Sequence, residues 1–249
     1  SPDGQSDKFL DKVIDSGVFD LGCLPSGGFM AFANIAQPYR EGVPVQKIKC
    51  LKLYDADGRF LRSLIDCTDF GSLRNTINNN YVYYDSGEDG SIYVAFRYQN
   101  RVEKYTLKGK LLWSVARPLS YTPGFREGKS KRRGRMVETT IARLSPCAEG
   151  IAVDSQGRAW VLTLDRPLRG KEVIRVATFS NGRVLVTRGD TSLRFTDAYR
   201  LDIFSPQGQL VDTIKLTHFA EFIDIFGERM YLIDKYRGMQ VYIYQILSR

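Results

Sequence analysis

Histidine is almost absent from this chain of 249 residues: His218 is the only one. Zinc sites and Ser-His-Asp hydrolases lean on that side chain, so its scarcity removes most designs of both kinds. No Gly-x-Ser-x-Gly elbow accompanies His218, which reads as a structural residue at a strand junction. Cysteine is sparse too. Cys23, Cys50, Cys67 and Cys147 include no Cys-x-x-Cys pair, which argues against zinc ribbons and covalent haem. Their even number permits disulfides without requiring them, and buried free thiols on strands are the plainer reading. No run of about 18 apolar residues is present to cross a membrane, and the first residues show no basic-then-apolar leader. With only 9 prolines and 12% aromatic residues, the composition is that of an ordered globular body.

What the chain does have is a repeated hairpin. Ile151 to Val153 and Trp160 to Leu164 are short β-branched and aromatic runs around Asp154-Ser155-Gln156-Gly157, whose glycine supplies the positive φ a tight turn needs. Similar units surround Ser26-Gly27-Gly28, Glu88-Asp89-Gly90 and Gly227-Glu228. A second kind, with Gly closing the turn and an alternating strand after it, surrounds Asp57-Gly58, Lys108-Gly109 and Gln207-Gly208. The two kinds alternate, which predicts four-stranded antiparallel meanders in series: an all-β chain, a β-propeller, as one domain over residues 1–249. A two-sheet sandwich also spaces its strands evenly, but its strands have no reason to resemble one another. No helical window of useful length competes; residues 37–44 and 118–128 are polar or broken by Pro and Gly.

Asp89-Gly90-Ser91-Ile92-Tyr93-Val94-Ala95, followed by Asn100-Arg101-Val102-Glu103-Lys104-Tyr105, resembles an NHL-repeat blade, and so does the run from Gly150 to Leu164. With Tyr199 to Phe204 and Leu232 to Met239, the chain resembles the bacterial six-bladed, NHL-like propellers, well over residues 80–249 and weakly before. That resemblance implies six blades, of which about four are recognisable here. Residues 1–14 look like the turn and second strand of a hairpin whose first strand is missing. Either upstream blades belong to a longer parent, or the strand at residues 9–14 closes the ring onto residues 240–246. Residues 171–186, with a turn at Ser180-Asn181-Gly182, add a hairpin inside the third blade.

Charge is concentrated. Arg126, Lys129, Lys131, Arg132, Arg133 and Arg135 face the single anion Glu127 within ten residues, a local +5 of the chain's +8. This reads as a flexible basic loop, residues 118–140, able to dock an acidic protein surface or an anionic membrane surface. Nucleic acid fits less well, because the loop itself has no aromatic side chain for stacking. Arg97, Tyr98 and Arg101, in the tyrosine-rich second blade, form a further candidate contact patch of the types enriched at interfaces. Asp85, Asp154, Asp224 and Asp234 are positioned as possible oxygen ligands, although Asp154 is accounted for as a turn cap. No cofactor is implied. The residues that nucleophilic, acid–base or metal chemistry require are missing or solitary, so the expected function is binding or scaffolding of a protein partner rather than catalysis. A metal-dependent hydrolase or lyase in the central channel is the alternative. The resemblance and the even cysteine count point to an extracytoplasmic (periplasmic or secreted) location.

Overall fold

The computed structural model describes residues 21–33, 35–128, 130–133, 136–139, 143–178 and 184–247. Blade 1 is the sheet β1 (Leu21–Cys23), β2 (Phe29–Phe32), β3 (Lys49–Tyr54) and β4 (Phe60–Asp66). Blade 2 follows as β5 (Val82–Ser86), β6 (Ile92–Phe96), β7 (Val102–Tyr105) and β8 (Leu111–Val115). Next comes a finger: β9 (Gly124–Arg126), β10 (Ser130–Arg133), β11 (Met136–Thr139) and β12 (Arg143–Ser145), with β10 paired to β11 and β9 to β12. Blade 3 is β13 (Ala148–Val153), β14 (Ala159–Leu164), β17 (Tyr199–Phe204) and β18 (Leu210–Lys215), interrupted by the hairpin β15 (Arg175–Thr178) and β16 (Val184–Arg188). Blade 4 has three strands among the described residues, β19 (Phe222–Phe226), β20 (Arg229–Asp234) and β21 (Gln240–Gln245). Every pairing is antiparallel and follows chain order within its blade, so the all-β propeller expected from the repeated hairpins is what forms.

The first strand of each blade is the inner one. β1 packs on β5, β5 on β13 and β13 on β19, while the fourth strands face solvent, β18 along its whole length. Apolar cores fill the wedges between blades. Met30, Leu51 and Leu53 meet Val94 and Phe96 between blades 1 and 2; Tyr93 and Val102 meet Val161 and Phe204 between blades 2 and 3; Leu162 and Leu201 meet Ile223 and Leu232 between blades 3 and 4. The inner strands come so close that one position admits no side chain: a Cβ on Gly150 would lie 2.7 Å from Ile223 Cγ2.

Turn chemistry fixes the hairpins. Asp154 is 4% exposed; its carboxylate accepts from Gln156 N and Arg158 N at 3.0 and 2.9 Å, and from Arg158 Nε and Trp160 Nε1 at 2.6 and 2.9 Å. It is a turn cap, as its place before Gly157 predicts.

Two expectations need correction. Short helices do form, α1 (Ala36–Arg40) and α2 (Leu73–Asn79). Helix α2 has few good helix formers, and tertiary anchors hold it instead. Ser72 caps it, accepting from Asn75 N; Asn80 exchanges hydrogen bonds with Thr68 N and O at 2.9 and 2.8 Å; Asn79 Oδ1 accepts from Phe125 N at the foot of the finger. The basic stretch at residues 118–140, expected as a flexible loop, holds instead three strands of the paired finger, Ser130 facing Thr139 and Arg133 facing Met136. A run of like charges does not forbid the hairpin, because Lys131, Arg132 and Arg133 are paired in register with Glu138, Val137 and Met136 rather than with further cations. The strand expected at residues 9–14, and the start of the first hairpin at Val18, lie outside the described residues.

Candidate ligand pocket

Glu149 enters blade 3 as the second residue of β13, and Glu221 immediately precedes β19 of blade 4. Both sit at the same end of neighbouring inner strands, and each has an arginine. Arg97 follows β6; its backbone carbonyl accepts from Cys147 N at 2.7 Å, which fixes it beside β13, and its guanidinium reaches Glu149 at 2.9 Å. Tyr83 OH donates to the same carboxylate at 2.9 Å. Arg237, 1% exposed, donates to Glu221 at 2.9 Å and to the carbonyl of Glu172, and lies 3.5 Å over the ring of Phe219. Asp234 accepts from the backbone of Tyr236 and Arg237, which shapes the turn that presents Arg237.

Between the two pairs is a cavity of about 200 Å³. Tyr98, Tyr199 and Tyr236 line it with the four charged residues. Its apolar wall is largely contributed by insertions: Leu144 and Pro146 come from the base of the finger, and Pro167, Leu168, Val173 and Ile174 from the excursion between β14 and β17. The Tyr199 hydroxyl, on a side chain 1% exposed, has no hydrogen-bond partner among the described residues. Nε of Arg97 and Nε of Arg237 are unpartnered too. Buried polar atoms in native folds are nearly always satisfied by protein, water or ligand, and these three donors, on residues that line one cavity, are unmet by protein among the described residues.

Electrostatics tune the walls differently. Burial, with Asp234 alongside, pushes the Glu221 carboxyl up to about 7 against the opposing pull of Lys235 N–H and the Arg237 guanidinium. Burial, with Glu221 and Glu149 nearby, holds the Tyr199 hydroxyl well above the ordinary tyrosine range, so it remains a neutral donor. The walls thus combine two arginines with two glutamates, and burial raises the Glu221 carboxyl.

Of the residues singled out in the sequence, Arg97 and Tyr98 lie on this cavity. Arg101 does not; its guanidinium stacks 3.8 Å over Phe96 and faces Glu103. Arg126 is exposed on β9; Lys131, Arg132 and Arg133 belong to β10; Lys129 and Arg135 lie outside the described residues. Asp85 accepts from Val153 N at 2.7 Å across the blade 2–3 junction, and burial, with Asp224 adding to it, raises its carboxyl to about 6. Among the described residues no three His, Cys, Asp or Glu side chains gather as a metal site requires, and no helix is long and apolar enough to cross a membrane. His218 is structural: its Nε2 meets Tyr244 OH at 2.7 Å and its ring stacks on Tyr242 at 3.7 Å.

Glu149, Glu221, Tyr199 and Arg237 were not read from the sequence, yet a signal existed. Ala148-Glu149-Gly150-Ile151 and Ala220-Glu221-Phe222-Ile223 are the same step of two successive blades, as are Arg97-Tyr98 and Lys235-Tyr236 at the ends of β6 and β20.

No protein-family model matches the chain, and no curated protein does either. Solved structures do align with it. A member of the DUF4221 family from Bacteroides vulgatus superposes with a TM-score of 0.45 at 6% identity, covering 92% of this chain and 63% of that one. A calcium-binding protein, regucalcin, from Agrobacterium tumefaciens gives 0.42 at 12% identity, over 90% and 55% of the two chains. A streptogramin B lyase gives 0.38 at 10% identity, over 93% and 66%. These are likenesses of fold. The chain spans less than two thirds of the length of each of the three.

Proposed function

We propose that the chain is a binding propeller that holds a small, uncharged organic molecule, apolar at one end and bearing a carbonyl-type oxygen at the other, in the cavity between blades 2, 3 and 4. The observation that carries this is the Tyr199 hydroxyl, buried on the cavity wall without a partner among the described residues. Once Glu221 is ionised, above about pH 7, Arg97 and Arg237 are matched by Glu149 and Glu221, so the site offers donors without a spare charge. The apolar wall from Leu144 to Ile174 takes the other end. The reading is of recognition rather than turnover, with the blades as part of a six-bladed, NHL-like ring.

Benzamide and benzoate are the first probes, as neutral and charged forms of one shape. Calorimetric titration is expected to give saturable binding of benzamide, weaker binding of benzoate at about pH 8, where Glu221 is ionised, and loss of benzamide binding in Tyr199→Phe. Equal binding by wild type and Tyr199→Phe would remove the assignment.

A protein contact is the second reading, favoured by the edge of blade 4. Val241 and Ile243 on β21 are 55% and 60% exposed, on a strand with no outer neighbour among the described residues. A further strand docking there would complete the blade. Light scattering and intact mass of the natively purified protein test for such a partner; a lone monomer with no co-purifying chain rejects it.

A further inference from the structure

Cys50 lies in β3, and Cys67 directly follows β4, at the open end of the outer hairpin of blade 1. The strand register pairs Lys49 with Asp66 and Leu51 with Leu64, and Cys67 N donates to Ile48 O at 3.1 Å. Cys50 and Cys67 are therefore diagonal neighbours on one face. Diagonal pairs in a regular ladder sit about 7–8 Å apart at Cα, beyond the usual span of a disulfide. Here Ile65, two residues before Cys67, has φ of 68°, a conformation a β-branched residue rarely takes. The backbone leaves the extended conformation at that residue, and the two sulfurs stand 3.0 Å apart, with side chains 0% and 5% exposed.

We propose that Cys50 and Cys67 are a site of oxidative modification and close as a disulfide, clamping the outer strand of blade 1 at the end opposite its turn. The separation leaves no space for another group between the sulfurs, and an S–S bond of about 2.05 Å needs roughly one further ångström of approach. The other two cysteines are differently placed: Cys147 takes a hydrogen bond from the Arg117 guanidinium at 3.0 Å, and Cys23 is exposed on β1. Both side chains are shut off from solvent, and contact with Cys67, and then burial, hold the Cys50 thiol well above its ordinary range, so an external disulfide hardly reaches the folded pair. The bond therefore forms while the chain folds. Two thiols lose two protons and two electrons, and an exogenous disulfide such as oxidised glutathione accepts both, leaving as two glutathione thiols.

The test is refolding of the reduced, full chain with oxidised and reduced glutathione, followed by alkylation and non-reducing tryptic mapping. The expected product is 2 Da lighter (about, for two hydrogens) and has two free thiols instead of four, with the tripeptide beginning at Cys50 linked to the peptide containing Cys67. Its melting temperature should exceed that of the reduced protein by about 5–10 °C, a gain absent from Cys67→Ser. Four titratable thiols after refolding, or linkage through Cys23 or Cys147, would overturn the proposal. Comparing the wild type with and without reductant keeps the test independent of whether the serine variant folds.

Discussion

Replacing Glu221 by glutamine should flatten part of the protein's pH–stability curve, and by a calculable amount. Its carboxyl titrates near 7 in the folded chain, against an ordinary value of 4.5. Below pH 4.5 it is protonated in both states and costs nothing. Between the two values the unfolded chain releases its proton while the folded chain keeps it, so stability falls as pH rises, by about 1.4 kcal/mol per unit. The total is about 3 kcal/mol, fully lost above pH 7. Glutamine, neutral throughout, does not titrate; its single carbonyl oxygen keeps one of the contacts to Lys235 N and Arg237 and loses the other, an offset that does not vary with pH. Urea unfolding followed by tryptophan fluorescence between about pH 5 and pH 8 should show the variant gaining about 2–3 kcal/mol on the wild type across that range. Asp85, raised to about 6, falls in the same direction in both proteins and cancels from the difference. Glu172, held down at about 2 by Arg166, loses its contribution only as pH falls below 4.5, outside the window. A difference that stays constant with pH would refute the argument, because it would mean that Asp234 and burial do not hold the proton on Glu221.

Asp154→Ala removes four accepted hydrogen bonds from a buried turn and should cost about 2–4 kcal/mol in urea unfolding, whereas the same change at exposed Asp57 should cost under about 0.5. Gly150→Val drives a side chain into Ile223 across the blade 3–4 junction, with an expected loss of about 1–3 kcal/mol and a lowered melting temperature. Arg97→Ala strands the buried Glu149 carboxylate with Tyr83 as its remaining side-chain partner and should cost about 3–5 kcal/mol; Glu149→Gln in the same background should recover much of it. Tyr199→Phe removes an unpartnered hydroxyl, so the free protein's stability should change by less than about 1 kcal/mol while benzamide binding is lost.

The hairpins were legible because their signals are local. Asp154 and Gly157 are three residues apart and between them dictate the turn. Helix α2 was not legible, since Asn79 and Asn80 hold it through Phe125 and Thr68, partners that only the fold supplies. The pocket lies between these cases. Arg97 and Tyr98 drew attention by type, but Glu149 is 52 residues from Arg97, and the two meet only because successive inner strands lie side by side. The basic stretch illustrates the opposite error: composition pointed to a loop, while the backbone pairs as a hairpin.

Of the two insertions that wall the pocket, the one between β14 and β17 also rests Leu168 on the core between blades 3 and 4. Leu144 and Pro146 leave from one junction, Pro167 to Ile174 from another, while Leu162, Leu201 and Leu232 lie beneath them between the blades. Selectivity and folding are thereby coupled at Leu168, which an exchanged segment has to keep. A chimera carrying a foreign segment between β14 and β17 can change its choice of guest while inheriting the same load of buried leucines, so such a scaffold can diversify its chemistry by exchanging caps on a constant frame.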